Sequence, residues 1–569
     1  MNRGRALALL ATFLIVVGCE PATSSTRGPV EAVAVREPGR TLVVALRVEP
    51  TTLASLPLAR DQGLSRSFYP MLFNATLSAK DQQEVAQPYL AEALPQLDQE
   101  SWRVLPDGRM ETIYRLRPGI SWHDGVGFSA DDFVFAWRVY QTPEFGQNSI
   151  PPFSAIEQVS ASDDRTLLIR WRQLYTDAGV LDSSFPPLPR HILEPILDSG
   201  GPDALASHPF WSHEYVGLGP YAADRWEPGS YLEAAAFDGF VFGRPKMQRL
   251  RLLFIGDPNS ALANLLAGEV HLAIEDSIRF QQGSILLRDW VPSGAGIVYF
   301  TPSQWRFIQV QLRPEYAAPR AILDVRVRKA LAHSVDKQAI SDALFDGQGV
   351  LTDSMIPASA EYAAALDSAI AKYPMDPARA EQLMAEAGFA RGPNRFFVSS
   401  AEGRIAPEIK TIAASQNEAE MSTLASGWRE VGFDAQEAVI SPSQAQDPQI
   451  RATFRTLHLN GGPLGSRAVA SQLTSARIPG PENRWTGSNR GGWVNPAYDR
   501  LTEGLETTLD RSERNRRIVE AVRIYSEELP ALSLYFQLTV IAHAAGLRGV
   551  RQIAPEGSVA WNVHAWEFQ

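Results

Sequence analysis

"YRLRPGISWHDGVGFSADDFVFAWR", residues 114–138, passes from strand to turn to helix within one short stretch. Its opening continues the alternating segment "ETIYRLR" (111–117), which reads as a half-buried strand. In "WHDG", Asp124 and Gly125 supply a bend. Ser129 then serves as a helix N-cap, with Asp132 three positions on to complete a capping box. Phe133, Trp137 and Tyr140 fall on one face of the helix that follows, and Trp122 is expected to be buried against it. A strand turned sharply into an amphipathic helix calls for a sheet with helices packed on it.

The rest of the chain repeats that alternation of types. Strands are read at "TLVVAL" (41–46), "RTLLIRW" (165–171), "RLRLLFI" (249–255), "FIQVQL" (307–312), "FRTLHL" (454–459) and "LSLYF" (532–536). Helices are read at "DPNSALANLLAGE", "DVRVRKALAHSVDKQAISDALFDG" and "MDPARAEQLMAEAGF", each closed by a glycine suited to a left-handed C-cap: Gly268, Gly347 and Gly388. The fold class is α/β, or α+β with mixed sheets, and no internal repeat is visible. Stretches rich in Pro and Gly at 143–152, 183–202 and 460–492 are candidate loops or boundaries.

The N-terminus has a different character. Arg3 and Arg5 precede an apolar run from Ala6 to Val17, the pattern of a secretory signal and far short of the ~20 residues that span a bilayer. Val16, Val17, Gly18 and Cys19 resemble the lipobox of bacterial lipoproteins, in which the signal is cut before Cys and that residue carries lipid. Cys19 is the single cysteine of 569 residues, as expected for an exported chain in which an unpaired thiol would be a liability. Residues 1–18 are thus expected to be the signal peptide and 19–40 a flexible tether with a reach of ~25 Å.

The remainder has 45% apolar residues, ample for two or three domains, and needs no disulfides. A net charge of −11 without any Lys/Arg-rich run argues against nucleic acid and against a polybasic membrane patch.

Signatures of catalysis are missing. The chain holds no G-x-S-x-G elbow, no phosphate loop and no H-E-x-x-H zinc helix. Gly125–Ala130 and Gly217–Ala222 match G-x-G-x-x-A formally, but neither has the strand-turn-helix context of a dinucleotide site. His208 and His213 lack metal spacing, and Asp131 with Asp132 sits at a helix N-terminus where carboxylates complement the dipole. No catalytic residue, metal or cofactor is expected. The 13 tryptophans suit a binder, although most are expected in the core.

The quoted stretch resembles the signature of the family 5 extracellular solute-binding proteins, the oligopeptide-, dipeptide- and nickel-binding components of ABC importers. The resemblance runs almost end to end: "TLVVALRVEPTTL" (41–53), "VGLGPYAADRWEPGSYLEAAAFDGF" (216–240), "ALANLLAGEVHLA" (261–273), "LDVRVRKALAHSVDKQAISDALFDGQG" (323–349), "YPMDPARAEQLMAEAGF" (373–389), "NPAYDRL" (495–501) and "ELPALSLYF" (528–536). It implies a bilobal, periplasmic-binding-protein-like fold of type II, similar to cluster C, with an extra domain inserted in the N-terminal lobe. By that resemblance lobe I takes 41–65, 173–298 and 511–569, the inserted domain 66–172 and lobe II 299–510. Ligand would be enclosed between the lobes by hinge closure.

Ligand-facing positions implied by the resemblance are Glu49, after the first strand; Gln311, where the family usually has Asn; and His458 and Asn460, near the places of a Trp-x-x-Asp element whose carboxylate pairs with a peptide ammonium. Trp485 is a stacking candidate, with a packing role as the alternative. No acidic residue occurs from Arg451 to Ala476, which disfavours free-peptide binding of the usual kind. Arg467, Arg477, Arg484 and Arg490 would favour an anionic or polyhydroxylated ligand if they reach the cleft. His271 stands for a usual Asp at a place read as structural.

The expectation is a lipid-anchored monomer that captures a small or peptide-like solute and delivers it to ABC permease subunits, on the exported side of the membrane. A sensory or scaffold lipoprotein of the same fold is the alternative, and an exported hydrolase a weaker third.

Overall fold

Two strands of unusual length organise the molecule: Gly296–Val310 and Ala531–Ala544, with 15 and 14 residues against a typical ~5–6. They belong to a computed structural model that describes residues 41–56, 68–555 and 557–569, apart from the side chain of Arg467. Cys19 and the expected signal peptide and tether lie outside the described residues.

The two long strands pair antiparallel with one another in the middle of an 11-stranded mixed sheet. On one side Ala531–Ala544 pairs with Leu272–Ala273, which continues through Thr41–Leu46 and Arg249–Phe254 in parallel, then Tyr231–Ala236 and Tyr221–Glu227 antiparallel. On the other side Gly296–Val310 pairs with Leu457–Gly462, followed by Glu408–Ile412 and Gln436–Ile440 in parallel. The long strands therefore cross from one lobe into the other. Midway, the register slips between Pro302 and Gln304, so Ser303 is an extra residue opposite the Gln537–Leu538 step. Such a bulge bends a strand locally and marks the crossing point.

Alternation along the crossing strand serves two cores. Trp305 and Phe307 pack on one face with Met355, Trp493 and Tyr525. Ile308 and Val310 pack on the other with Leu457, Ile409 and Trp428. The helix Arg511–Glu528 buries Ile518, Ala521 and Val522 in the Trp305 cluster. Residues 511–528 thus share a core with Trp305 and Phe307 and lead into the crossing strand Ala531–Ala544.

The quoted stretch folds as its chemistry demands. Met110–Arg115 is an inner strand of a four-stranded antiparallel sheet, and the helix Ala130–Gln141 starts after Ser129. Asp132 accepts from the Ser129 amide at 2.9 Å and from the Trp122 indole at 3.4 Å, so the capping residue also fixes the buried tryptophan. His123 has a role the sequence did not disclose. Its Nδ1 accepts from the Gly217 amide at 3.1 Å and its Nε2 meets the Gly219 carbonyl at 3.0 Å, tying "WHDG" to "GLGPY". Burial pushes its pKa down to about 4, so the ring is neutral and satisfies both roles. A Cβ on Gly217 would lie 1.9 Å from the Phe73 carbonyl, which explains the glycine by close backbone approach. Both G-x-G-x-x-A matches are therefore architectural.

Helices at Pro258–Leu266 and Pro377–Glu386 end as read, with Gly268 and Gly388 at positive φ. The 324–347 run differs: it breaks into Val325–Ala332 and Lys337–Phe345, because Asp336 caps Ala339 at 2.9 Å and restarts the helix. Trp122, Trp171, Trp305, Trp428 and Trp566 are among the largest fully buried side chains, so these aromatics serve the core. His271 accepts from the Val43 amide at 3.0 Å, a structural place as expected.

Candidate ligand-binding site

At the bulge of the crossing strands lies a cleft of about 610 Å³, within the range of small-molecule sites. The first lobe contributes Arg47, Glu275, Asp276 and Arg279, and the second contributes Gln304, Arg306, Gln416 and Asn417. Gln537 and Thr539 come from the crossing strand itself, and Ile553 and Val559 form an apolar wall. Room for the Gln304 side chain comes from Gly461, where a Cβ would approach its Oε1 to 2.5 Å.

Much of this lining is held in place by hydrogen bonds. Gln416 donates to Gln537 Oε1 at 2.6 Å, and Thr539 Oγ1 donates to Asp276 Oδ1 at 3.1 Å. Glu275 Oε1 accepts from the Phe68 amide at 3.0 Å. Glu275 and Asp276 both have positive φ, at 51° and 60°, a conformation disfavoured for side-chain-bearing residues and concentrated at functional sites. Arg306 donates to Asn417 Oδ1 at 3.1 Å and to the carboxylate of Glu420, which is wholly buried on the helix Ser415–Val431. Burial alone would lower the pKa of Arg306, but Glu420 outweighs it and keeps the guanidinium charged. Burial pushes the Glu420 carboxyl up, with Arg306 pulling it back. Arg47 and Arg279 have no ion-pair partner among the described residues. The cleft thus offers fixed amide donors and acceptors and charges of both signs, a surface for a polar solute.

The residues proposed from sequence lie elsewhere in the same lobes. Glu49 accepts from the Trp226 indole at 2.6 Å and the Gly229 amide at 2.8 Å, two residues beyond Arg47 of the cleft. Gln311 is fully buried, donates to the Phe454 carbonyl at 2.8 Å and accepts from Arg313 Nε at 3.2 Å. Arg313 lies over the Tyr316 ring at 4.7 Å, and that ring meets Trp485 edge-on at 6.5 Å, so Gln311 and Trp485 belong to one packed chain of contacts. His458 is 1% exposed, and neither ring nitrogen has a hydrogen-bond partner among the described residues. Asn460, half-buried on the same strand, accepts from the Gly461 amide at 2.9 Å. None of the five lines the cleft. Arg477 and Arg484 are exposed and Arg490 is half-buried.

Sequence reasoning missed Arg306, Gln416 and Gln537. A signal was present for the last: Gln537 interrupts the buried run "ALSLYFQLTVIAHA", and a polar side chain inside a central strand asks for a polar partner or a ligand.

Two lobes joined by crossing strands, with a polar cleft at the crossing point, define a bilobal binding protein of the periplasmic type. The chain belongs to the bacterial extracellular solute-binding proteins, family 5, whose Middle region matches residues 92–463. It is similar to Heme-binding protein A of Haemophilus influenzae, at 26% identity over 95% of this chain and 94% of that protein. It is also similar to the Oligopeptide-binding protein AppA of Bacillus subtilis, at 24% identity over 68% of this chain and 67% of that one. Its fold is similar to that of NikZ from Campylobacter jejuni in complex with Ni(L-His), with a TM-score of 0.71 and 22% identity over 93% of this chain and 100% of that chain. The family and these relatives are binding proteins. No helix among the described residues is long and apolar enough to cross a membrane.

Proposed function

We propose that this chain is the solute receptor of an ABC importer, a non-catalytic monomer that closes its two lobes on a small polar or peptide-like solute and presents it to permease subunits. The observation that carries the reading is the polar cleft at the bulge of the two crossing strands, where side chains from both lobes converge. A ligand touching both lobes binds the closed form better than the open one and shifts the population toward it. The relatives' names span haem, oligopeptide and a nickel complex, so the family leaves the solute open.

Lipidation at Cys19 would hold the protein on the exported side of the membrane, its tether giving the lobes reach. Two or more acyl chains suffice for stable anchoring. Cys19→Ala should release the protein into a soluble exported fraction; retention on the membrane would defeat the lipoprotein reading. Native mass spectrometry of the purified protein, followed by denaturation and identification of what is released, tests the receptor reading. A defined small molecule, lost on Arg306→Met in the cleft, is the expected result.

A further inference from the structure

Beneath the segment that carries Trp485 lies a second polar constellation, separate from the cleft lining. Gln309, His458 and Lys410 are direct partners across three adjacent strands, so their side chains form one row on one face of the sheet. Two backbone segments cover that row. Gln309 donates to the Ser488 carbonyl at 3.0 Å, and Lys410 Nζ lies 3.4 Å from the Ile450 carbonyl. Arg313 binds the carbonyls of both Ala452 and Arg490, bringing Arg451 and Arg490 together over the row.

The result is an assembly of cations without an anion. Among the described residues Lys410, Arg451 and Arg490 form no ion pair, and neither guanidinium has a hydrogen-bond partner. Arg451 Nε, Gln309 Oε1 and both nitrogens of His458 are buried without a hydrogen-bond partner among the described residues. Burial and the charges of Arg490, Lys410, Arg451 and Arg306 together drive the His458 pKa down, and burial beside Arg451 lowers Arg490 to about 10. Glu408, two residues along from Lys410, favours the charged lysine but forms no ion pair with it among the described residues. Buried polar groups are ordinarily satisfied and buried charges ordinarily paired. Several unmet donors converging around a neutral histidine fit an oxyanion.

We propose that Lys410, Arg451, His458 and Arg490 form a subsite for an oxyanion, a carboxylate or phosphoryl group carried by the captured solute. The inference rests on the receptor reading and deepens it, since it assigns a charge to the ligand. No acidic residue lies between Arg451 and Ala476 to supply a counter-charge from this stretch of chain.

The test is titration of the full-length protein with inorganic phosphate and with acetate at constant ionic strength, chloride as reference, following the His458 ring by NMR. At least one of the two oxyanions should shift the His458 resonances saturably, and the stronger of them identifies the source. Arg451→Gln and Arg490→Gln should each weaken binding about tenfold or more, whereas Arg500→Gln on the surface should not. Thermal melts without added oxyanion supply a second readout. Removing one of the crowded cations should raise Tm, whereas an arginine with a purely structural role would lower it when lost. The proposal is overturned if neither oxyanion moves His458, or if both arginine variants bind like the parent. A small molecule released in native mass spectrometry that survives Arg451→Gln and Arg490→Gln would sink the subsite and leave the receptor reading standing. Phosphate or acetate bound at His458 with no solute captured in the cleft would do the reverse.

Discussion

The junction of "WHDG" with "GLGPY" and the bulge of the crossing strands are both places where distant segments meet through polar groups, yet they are built on opposite plans. At the junction the central polar groups are satisfied: Asp132 takes Ser129 and Trp122, and His123 takes both Gly217 and Gly219. At the bulge, Arg47 and Arg279 face the cleft without ion-pair partners among the described residues, and Glu420 Oε1 and Arg306 Nε are buried without a hydrogen-bond partner there, although the two side chains pair through their other atoms. Satisfied networks fix one geometry, and groups left short of partners keep binding capacity in reserve. The difference separates the part of the chain that holds shape from the part that meets a solute.

Breaking the junction should give the largest effects. Gly217→Ala sets a Cβ 1.9 Å from the Phe73 carbonyl, a backbone atom that cannot swing aside. We expect a loss of about 4 kcal/mol or more, measured by urea denaturation, with proteolysis around this junction. Glu420→Ala comes next, because it strands the Arg306 guanidinium, 11% exposed, without its counter-charge. A cost of about 3–5 kcal/mol is expected, and the double replacement Arg306→Met with Glu420→Leu should recover most of it. If the single and double variants are equally unstable, the pair is not the source of the loss.

His123→Ala removes one acceptor and one donor from the junction and should cost about 2 kcal/mol. It also carries a pH signature. The folded pKa of His123, about 4, lies below its ordinary 6.5, so the unfolded chain binds the proton first as pH falls. Stability is therefore complete above pH 6.5 and declines as pH drops toward about 4. His271, His458, His543 and His564 are depressed by burial and push in the same direction. The difference between parent and His123→Ala isolates the junction: the variant should show a shallower loss of Tm over that window, and an unchanged slope would remove His123 from the account.

The same contrast explains what could be read from the chain. The capping box at Ser129 and Asp132, the bend at Gly125 and the C-caps at Gly268 and Gly388 are local, so residue types within a few positions determine them. Period-two alternation likewise exposed Thr41–Leu46 and Thr166–Trp171. The break at Asp336 went unseen because both halves keep helical periodicity across the cap. The cleft was less legible, because Arg306, Gln416 and Gln537 are 110 residues or more apart in sequence and meet only through strand crossing and register. Gln311, conspicuous by position, spends its amide on Phe454 and Arg313. Nothing local distinguishes such a side chain from one that faces a ligand.

The smallest effect on stability should come from Gln416→Ala, and it sharpens the comparison most. Its amide joins the helix Ser415–Val431 to Gln537 on the crossing strand at 2.6 Å, beside solvent in the cleft, so water can replace it on loss. We expect less than about 1 kcal/mol in denaturation, as for other half-exposed hydrogen bonds. If the bulge is where a solute is held, the same substitution should weaken capture severalfold by calorimetry once the released compound is known, while His123→Ala leaves affinity intact. A variant that melts like the parent and also binds like it would place the solute away from Gln416 and Gln537, and would shift attention to the row of Lys410 and His458 across the second lobe.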